Sequence, residues 1–189
     1  MIRVRRYVVL GITGASGAIY AKQIMDFLHQ IPFIKMAVVF SANGERVFRH
    51  ELSDMSFDSY AGMFERYEND DFNAPFASGS SRFDTLIITP CSMGTLGRIA
   101  HGISNDLITR TADVMLKERR QLIVAPRETP LNQIHLQNML QLTAAGGVVC
   151  PTCPAFYAFP GTADEVAQTV VNRILRQAGL PHNEEYWGL

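Results

Sequence analysis

The sequence predicts an α/β fold, a Rossmann-like, doubly wound parallel sheet in three layers. Short apolar runs at residues 7–12, 34–40, 85–89, 122–125 and 148–150 alternate with segments whose apolar residues recur at helical spacing. The runs are apolar at most positions, as in strands that are buried on both faces of a parallel sheet. Strands that alternate with helices place helices on both faces of such a sheet.

The first half of the chain contains two strand–helix units. Strand 7–12 ends at a glycine turn over residues 13–17, and a helix follows with Ile19, Ile24 and Phe27 on one face. Strand 34–40 precedes a helix at 41–52 that opens on Ser41, a residue type that caps helices. Residues 54–82 are polar with little periodicity, so loop with short pieces of structure is expected there.

The second half repeats the pattern three times. Strand 85–89 leads to a helix beginning near Ser92, and Asn105 or Asp106 caps another helix that runs to Arg120. Strand 122–125 precedes a helix at 131–145, which Gly146-Gly147 ends. Strand 148–150 precedes a last helix at 162–178, which Thr162 caps.

Size and charge limit the possible functions. With 189 residues, of which 47% are hydrophobic, residues 1–189 are expected to form a single domain, with a tail at about 180–189 packing on the site or on a neighbouring subunit. A net charge of −1 gives no basic field for nucleic acid. No apolar run is long enough to span a bilayer, and the basic start leads into a strand, so no membrane partner and a cytoplasmic location are expected.

Several unusual residues follow strand ends. In sheets of this kind, ligands bind beyond the carboxyl ends of the strands. The residues expected at that edge are Gly14, Ser16, Ser41, Ser92, Thr95, Arg127 and Tyr157.

Two turns suit a phosphorylated ligand. Glycines in the turn at 13–17 let the backbone approach a ligand at a helix start that favours negative charge, although a tight turn without a ligand is the alternative. Ser41 stands where a dinucleotide site would have an acid, so FMN fits better than NAD. The turn Ser92-Met93-Gly94-Thr95 offers hydroxyls and N–H groups, or only an N-cap.

Charged residues suggest a second anion site. Arg110 and Lys117 lie two helical turns apart on similar faces and suit a phosphate, while a solvated face is the alternative and is expected for Arg119 and Arg120. Arg127 and Glu128 follow a strand between two prolines, where Glu128 suits proton transfer and a structural ion pair is the alternative.

The cysteines do not indicate a disulfide framework. Cys91, Cys150 and Cys153 are an odd set without a secretory signal. Cys150 and Cys153 have redox-motif spacing, but they follow a strand and do not open a helix, so two small residues in a turn are expected. The five histidines are scattered, and no metal site is expected.

Seven segments, in order, resemble the UbiX-type flavin prenyltransferases. They are residues 11–18 (GITGASGA), 77–81 (ASGSS), 90–96 (PCSMGTL), 112–120 (ADVMLKERR), 126–130 (PRETP), 134–140 (IHLQNML) and 154–157 (PAFY). The resemblance implies a flavodoxin-like fold, usually a homododecamer, with FMN bound between subunits. It also implies transfer of dimethylallyl from dimethylallyl phosphate to N5 and then C6 of reduced FMN, without a metal, giving the cofactor of UbiD-type decarboxylases.

The resemblance also implies roles for single residues. Ser16, Glu51, Lys117 and Glu128 would be catalytic, with Ser16 near N5 and Glu128 handling a proton on the departing phosphate. The FMN contacts would be Gly14, Ala15, Ser16, Ser41, Ser92, Met93, Gly94, Thr95 and Arg127. The prenyl phosphate would be held by Ser80, Arg110, Lys117, Tyr157 and Arg173, and Trp187 matches a tail tryptophan.

Two departures and two rival functions accompany this resemblance. Ala42-Asn43-Gly44 replaces the family's frequent Lys-Ala-Ala and puts the local helix start in doubt, and Phe72 stands where tryptophan is frequent. One rival is an FMN-dependent cysteine decarboxylase, in which Pro-Ala-Met-Asn would replace Pro126-Arg127-Glu128-Thr129. The other is a non-catalytic FMN-binding accessory subunit of a decarboxylase.

Overall fold

The computed structural model describes residues 5–53, 57–60 and 62–183, and it contains the doubly wound parallel sheet that the sequence predicts. The strands are β1 (Arg6–Ile12), β2 (Ile34–Phe40), β3 (Glu65–Tyr67), β4 (Thr85–Cys91), β5 (Gln121–Pro126) and β6 (Val148–Val149). The helices are α1 (Ala18–Leu28), α2 (Ala42–Glu51), α3 (Met93–Ala100), α4 (Leu107–Lys117), α5 (Gln133–Ala144) and α6 (Ala163–Gln177).

All neighbouring strands pair in parallel, in the order β3-β2-β1-β4-β5-β6. Without the short edge strand β3, the other five strands have the flavodoxin-like order, and the strand order reverses between β1 and β4. The strand β3 is an addition to the five expected strands. Its three residues lie in the polar 54–82 segment and pair with Ala37–Val39, and three residues are too few to show a period in the sequence.

Two apolar cores cover the two faces of the sheet. Along β1, Val8, Leu10 and Ile12 point into the core formed with α1, α2 and α6, whereas Val9 points into the core formed with α3, α4 and α5. This alternation produces the three layers, because successive side chains of a strand point to opposite faces.

The helix limits follow their caps. Thr162 caps α6, as predicted. Asp106, one of the two residues predicted as candidates, caps α4. Both caps are full capping boxes. Helix α4 ends at Lys117 and not at Arg120, because Arg119 has a φ of 54° and leaves the helical conformation. Of the helices in the described ranges, none has the length and apolar character needed to cross a bilayer.

Candidate functional site

Thr13 joins the carboxyl ends of β1 and β4. Its hydroxyl donates to the Pro90 carbonyl at 2.9 Å and accepts from the Ser92 N–H at 2.7 Å. Its own N–H donates to the same carbonyl at 3.2 Å. The two turns therefore form one connected edge at the place where the strand order reverses, which is where ligands bind in such sheets.

The start of α2 packs against the turn after β1. The Ser41 hydroxyl accepts from the Gly44 N–H at 3.0 Å, so Ser41 caps the helix as predicted. A Cβ on Gly14 would collide with Asn43, and a Cβ on Gly44 would collide with the Ile12 carbonyl. Ala42-Asn43-Gly44, which replaces the family's frequent Lys-Ala-Ala, therefore forms a regular start of α2, and this answers the doubt about that helix start.

Ser92 caps α3, as the simpler of the two interpretations of this turn predicted. The cap leaves room for a ligand at the same turn. Its hydroxyl accepts from the Thr95 N–H at 3.3 Å and lies 3.1 Å from the Thr95 hydroxyl. Met93 and Thr95 are buried, whereas Gly94 is exposed and no heavy atom lies within 4 Å of where its Cβ would stand. The backbone at Gly94 is thus open to a ligand.

Glu51 occupies the start of α1. Its Oε2 accepts from the N–H groups of Gly17 and Ala18, each at 2.8 Å. Burial raises the pKa of Glu51, but hydrogen bonds from the Ser16 hydroxyl and these two N–H groups, with the charge of Arg127, bring the pKa below its ordinary value of 4.5. Glu51 is therefore a carboxylate near neutral pH and fills the anion position that the sequence offered to a phosphate.

We expect Glu51→Gln to lower the free energy of unfolding by about 1 kcal/mol near pH 7, a small loss because the carboxylate is largely exposed to solvent. Because the folded pKa lies below 4.5, this difference is present above that pH and is lost as the pH falls through the folded pKa. Urea unfolding of both proteins at neutral and strongly acidic pH measures it. A difference of equal size in acid would contradict the charge-based account.

Arg127 and Glu128 lie exposed after β5. The Arg127 N–H donates to the Cys91 carbonyl at 3.2 Å, which joins this turn to the end of β4. The Glu128 carboxylate accepts from the Thr129 N–H at 3.0 Å, while the charge of Arg127 acts on Glu51. Glu128 thus binds within its own turn, and the ion pair between Arg127 and Glu128 is not formed between these two described residues.

Arg110, Lys117 and Ser80 gather along α4. The Arg110 Nε donates to the Ala77 carbonyl at 3.0 Å, and its Nη1 pairs with Asp113 at 2.7 Å. A Cβ on Gly79 would collide with Lys117 Nζ, which pairs with Glu118. The serine loop at 78–81 therefore lies beside the exposed ammonium group of Lys117.

Arg120 corrects the expectation of a solvated side chain. Its guanidinium donates to the Gly79 carbonyl at 2.6 Å and to the Phe83 carbonyl at 3.0 Å. Only a tertiary contact distinguishes Arg120 from Arg119, which is exposed. Arg120 fixes the serine loop against the end of α4.

Within a single chain, Lys117 does not lie at the edge formed by the carboxyl ends of the strands. Lys117 ends α4 just before β5 begins, whereas Arg127 follows the last residue of β5. A parallel strand rises about 3.3 Å per residue, so the six residues of β5 separate the backbone at its two ends by roughly 17 Å, with Lys117 before the first end and Arg127 after the second. Lys117 and the serine loop beside it thus lie toward the opposite end of the strands from the turns at Thr13, Ser92 and Arg127.

Tyr157 and Arg173 belong to the segment after β6 and to α6. Tyr157 is exposed in the loop before α6, and Arg173 is exposed on α6 with its charge near Cys150. Trp187 and most of the predicted tail lie outside the described residues. In the described ranges, no group of three or more His, Cys, Asp or Glu side chains is arranged to hold a metal ion.

Sequence reasoning did not single out two contributors to the site. The position of Thr13 could have been predicted from the sequence, because its hydroxyl group lies directly between a buried strand and a glycine turn. Arg98 donates to Asp106 and to Asn105 Oδ1, and its Nη2 lies 3.4 Å from the Thr95 hydroxyl, so it links the starts of α3 and α4. No sequence period marks this link, because its two helices are joined by an irregular segment.

Comparison with known proteins gives consistent matches. A protein-family model described as Flavoprotein matches residues 2–177. The "Flavin prenyltransferase UbiX" of Halalkalibacterium halodurans is 45% identical over 183 residues, covering 92% of this chain and 88% of that protein.

Two solved structures have nearly the same fold. The dodecameric FMN-dependent UbiX-like decarboxylase from Escherichia coli O157:H7 has a TM-score of 0.91 and 38% identity, covering 97% of this chain and 100% of that chain. AnUbiX, solved in complex with FMN and dimethylallyl pyrophosphate, has a TM-score of 0.90 and 38% identity, covering 97% and 99%.

Proposed function

Because the chain belongs to the UbiX-type flavin prenyltransferases of the flavoprotein family, we propose that it transfers dimethylallyl from dimethylallyl phosphate to N5 and C6 of reduced FMN. The resemblance drawn from the sequence segments is thereby confirmed. The observation that carries the proposal is the connected edge in which Thr13 joins the two flavin-type turns and Cys91 holds Arg127 beside them. The prenylated FMN would serve a UbiD-type decarboxylase.

FMN fits this edge. Three helices, α1, α2 and α3, begin there, and Glu51 already fills the start of α1. A flavin phosphate therefore suits the starts of α2 and α3, which Ser41 and Ser92 cap and which favour negative charge. Gly14, Ala15, Ser16, Met93, Gly94, Thr95 and Arg127 complete the proposed contact set. When bound and reduced, FMN supplies the electron-rich N5 and C6 that accept the prenyl carbon.

The remaining residues handle the prenyl phosphate. Arg110, Lys117 and Arg173 supply fixed positive charge for the negative charge that develops on the departing phosphate, and such preorganised charge stabilises a transition state strongly. Ser80 and Tyr157 add hydroxyls to that phosphate. Glu128, exposed beside Arg127, holds the proton that the departing phosphate takes up or releases.

With Lys117 acting on the prenyl phosphate at the flavin, the separation along β5 supports a site built from more than one copy of the chain. Lys117 lies at one end of the strands and the proposed flavin site at the other. Lys117 therefore reaches a flavin only if that flavin is held by the turns of a different subunit. We therefore propose a homododecamer, as found for the E. coli relative. Exposed apolar side chains support an assembly surface, because patches of this kind mark protein interfaces. They include Ile134, Leu136, Leu140, Phe156 and Phe159.

We expect Leu140→Lys to weaken the assembly without unfolding the chain. Leu140 is 71% exposed, so the substitution disturbs no core, but it places a charge on the proposed interface. Sedimentation should show smaller species, and turnover should fall with them because each site takes residues from several copies. Gln30→Lys, on an exposed polar position directly after α1 and on the other face of the sheet from α5, is the control. Sedimentation of Leu140→Lys at the wild-type size would rule out this interface.

The first experiment measures the mass of the flavin released after anaerobic incubation with reduced FMN and dimethylallyl phosphate. We expect a flavin heavier by one five-carbon prenyl unit. Unmodified FMN, with binding and reduction verified, would overturn the proposed function and favour an accessory subunit or a cysteine decarboxylase.

A further inference from the structure

Arg98 lies between the starts of α3 and α4 and donates hydrogen bonds to both. Its Nη1 donates to Asn105 Oδ1 at 2.7 Å and pairs with the Asp106 carboxylate. Its Nη2 donates to the Thr95 hydroxyl at 3.4 Å. The guanidinium is therefore held in place by α4, and one of its donors is directed at a residue of the proposed flavin turn.

Asp106 anchors Arg98 and pairs with its charge. The Asp106 Oδ1 accepts from the Thr109 N–H at 2.8 Å as the cap of α4, and its Oδ2 accepts from Arg98 Nη1. Burial raises the pKa of Asp106, but the hydrogen bonds from Arg98 and Thr109 bring the pKa below its ordinary value of 3.8. Asp106 is therefore a carboxylate near neutral pH. Because its charge is paired in this way, Arg98 acts on a ligand at the α3 start mainly through Thr95.

Arg98 gives the hydroxyl hydrogens of Thr95 and Ser92 one direction. A guanidinium only donates hydrogen bonds, so Arg98 occupies a lone pair of the Thr95 oxygen. Thr95 is 3% exposed, and within the described part of the chain its own hydrogen has one acceptor in reach, the Ser92 oxygen at 3.1 Å. A buried donor without an acceptor costs free energy, so Thr95 donates to Ser92. The Ser92 oxygen also accepts from the Thr95 N–H at 3.3 Å, which leaves Ser92 only its hydrogen to offer.

We propose that Arg98 is a positioning residue that, through Thr95, makes the Ser92 hydroxyl a hydrogen-bond donor to the phosphate of FMN. Ser92 is partly exposed at the start of α3, where a helix favours negative charge. A phosphate dianion accepts hydrogen bonds and has none to donate, and bonds to such a charged group are stronger than neutral ones. The role of Arg98 rests on the proposed function, since FMN is the ligand of this turn there.

Removing Arg98 frees a lone pair on the Thr95 oxygen. Water in place of the guanidinium can then accept the Thr95 hydrogen, and the Ser92 hydrogen can turn toward Thr95. The Ser92 oxygen would then face the phosphate as one acceptor against another. The loss of affinity therefore falls on the phosphate and not on the ring system of the flavin.

The test measures the affinities of FMN and of riboflavin, which lacks the phosphate, for the full-length assembled protein by flavin fluorescence. Arg98→Met should weaken FMN binding roughly fivefold, as expected for the loss of about one hydrogen bond, and leave riboflavin binding unchanged. Arg98→Lys keeps a donor that cannot accept and should retain most of the FMN affinity. Arg176→Met, which removes an exposed arginine from the last turn of α6, is the control. Equal losses for FMN and riboflavin in Arg98→Met, or no loss for either, would overturn the proposal.

A double-mutant cycle tests whether Arg98 acts through Thr95. Thr95→Val removes the hydroxyl that joins Arg98 to Ser92 and should itself weaken FMN more than riboflavin. In that background, Arg98→Met should cost no further FMN affinity, whereas two separate losses that add would refute the connection. Thr95→Val also tests the proposal if Arg98→Met does not fold.

These binding measurements need no turnover. If FMN binds and no prenylated flavin forms, the proposed function fails, while the ratio of FMN to riboflavin affinity still decides the role of Arg98. If prenylated flavin forms and Arg98→Met leaves that ratio unchanged, only the role of Arg98 fails.

Discussion

Lys117→Ala is expected to lower kcat/KM for prenyl transfer by roughly 10²–10³ while FMN binding is retained, because removing one preorganised donor to a developing anion costs about that much. Lys117 is exposed at the end of α4 beside the serine loop. Within the described part of the chain, its one ion pair is with Glu118. Its proposed partner in the neighbouring copy's site is the prenyl phosphate and not the flavin, so its removal should leave FMN affinity unchanged.

Anaerobic turnover and FMN titration of this variant measure the two effects separately. Arg119→Ala is the matched control, since Arg119 is exposed next to the same helix end. Normal turnover in Lys117→Ala would remove Lys117 from the site and favour the accessory-subunit alternative.

Glu128→Gln is expected to reduce kcat by about 10²–10⁴ without loss of FMN binding, the usual range for a positioned group that transfers a proton. Glutamine keeps the size and the acceptor that the Thr129 N–H uses, so the turn should remain in place. Only the ability to hold a proton is removed.

The pH dependence of turnover checks this role. The variant should lose the limb of the pH–rate profile that a carboxyl group produces, and Asp70→Asn, on an exposed loop position, should keep it. Wild-type kcat in Glu128→Gln would contradict proton transfer by Glu128.

Mixing the two inactive variants tests the shared site. If Lys117 and Glu128 of one site come from different chains, random co-assembly should restore about a quarter of the sites, because each of the two residues is intact in half of the subunits. If both come from one chain, no site contains both intact residues, and the mixture stays inactive. Recovery would establish that the gap of one β5 length is closed by a neighbouring copy.

Local patterns in the sequence predicted most of the fold. Buried runs located five of the six strands in the described part of the chain, and Ser41, Ser92 and Thr162 cap their helices as their residue types indicated. The edge strand β3 was not predicted because its stability comes from pairing with β2 and not from its own three residues. The expectation for Arg120 was wrong for a similar reason, since its partners lie 37 and 41 positions away along the chain.

The sequence by itself determined the doubly wound sheet and the set of residues placed at its strand ends, because strand burial and helix capping depend on neighbours in the chain. Only the tertiary structure decided that Glu51 fills the start of α1, that Thr13 joins two turns, and that Lys117 lies an entire strand away from Arg127. These relations join residues distant in sequence, and no periodicity encodes them. The physical reason is that hydrogen bonding and charge act through space, where folding brings remote segments together.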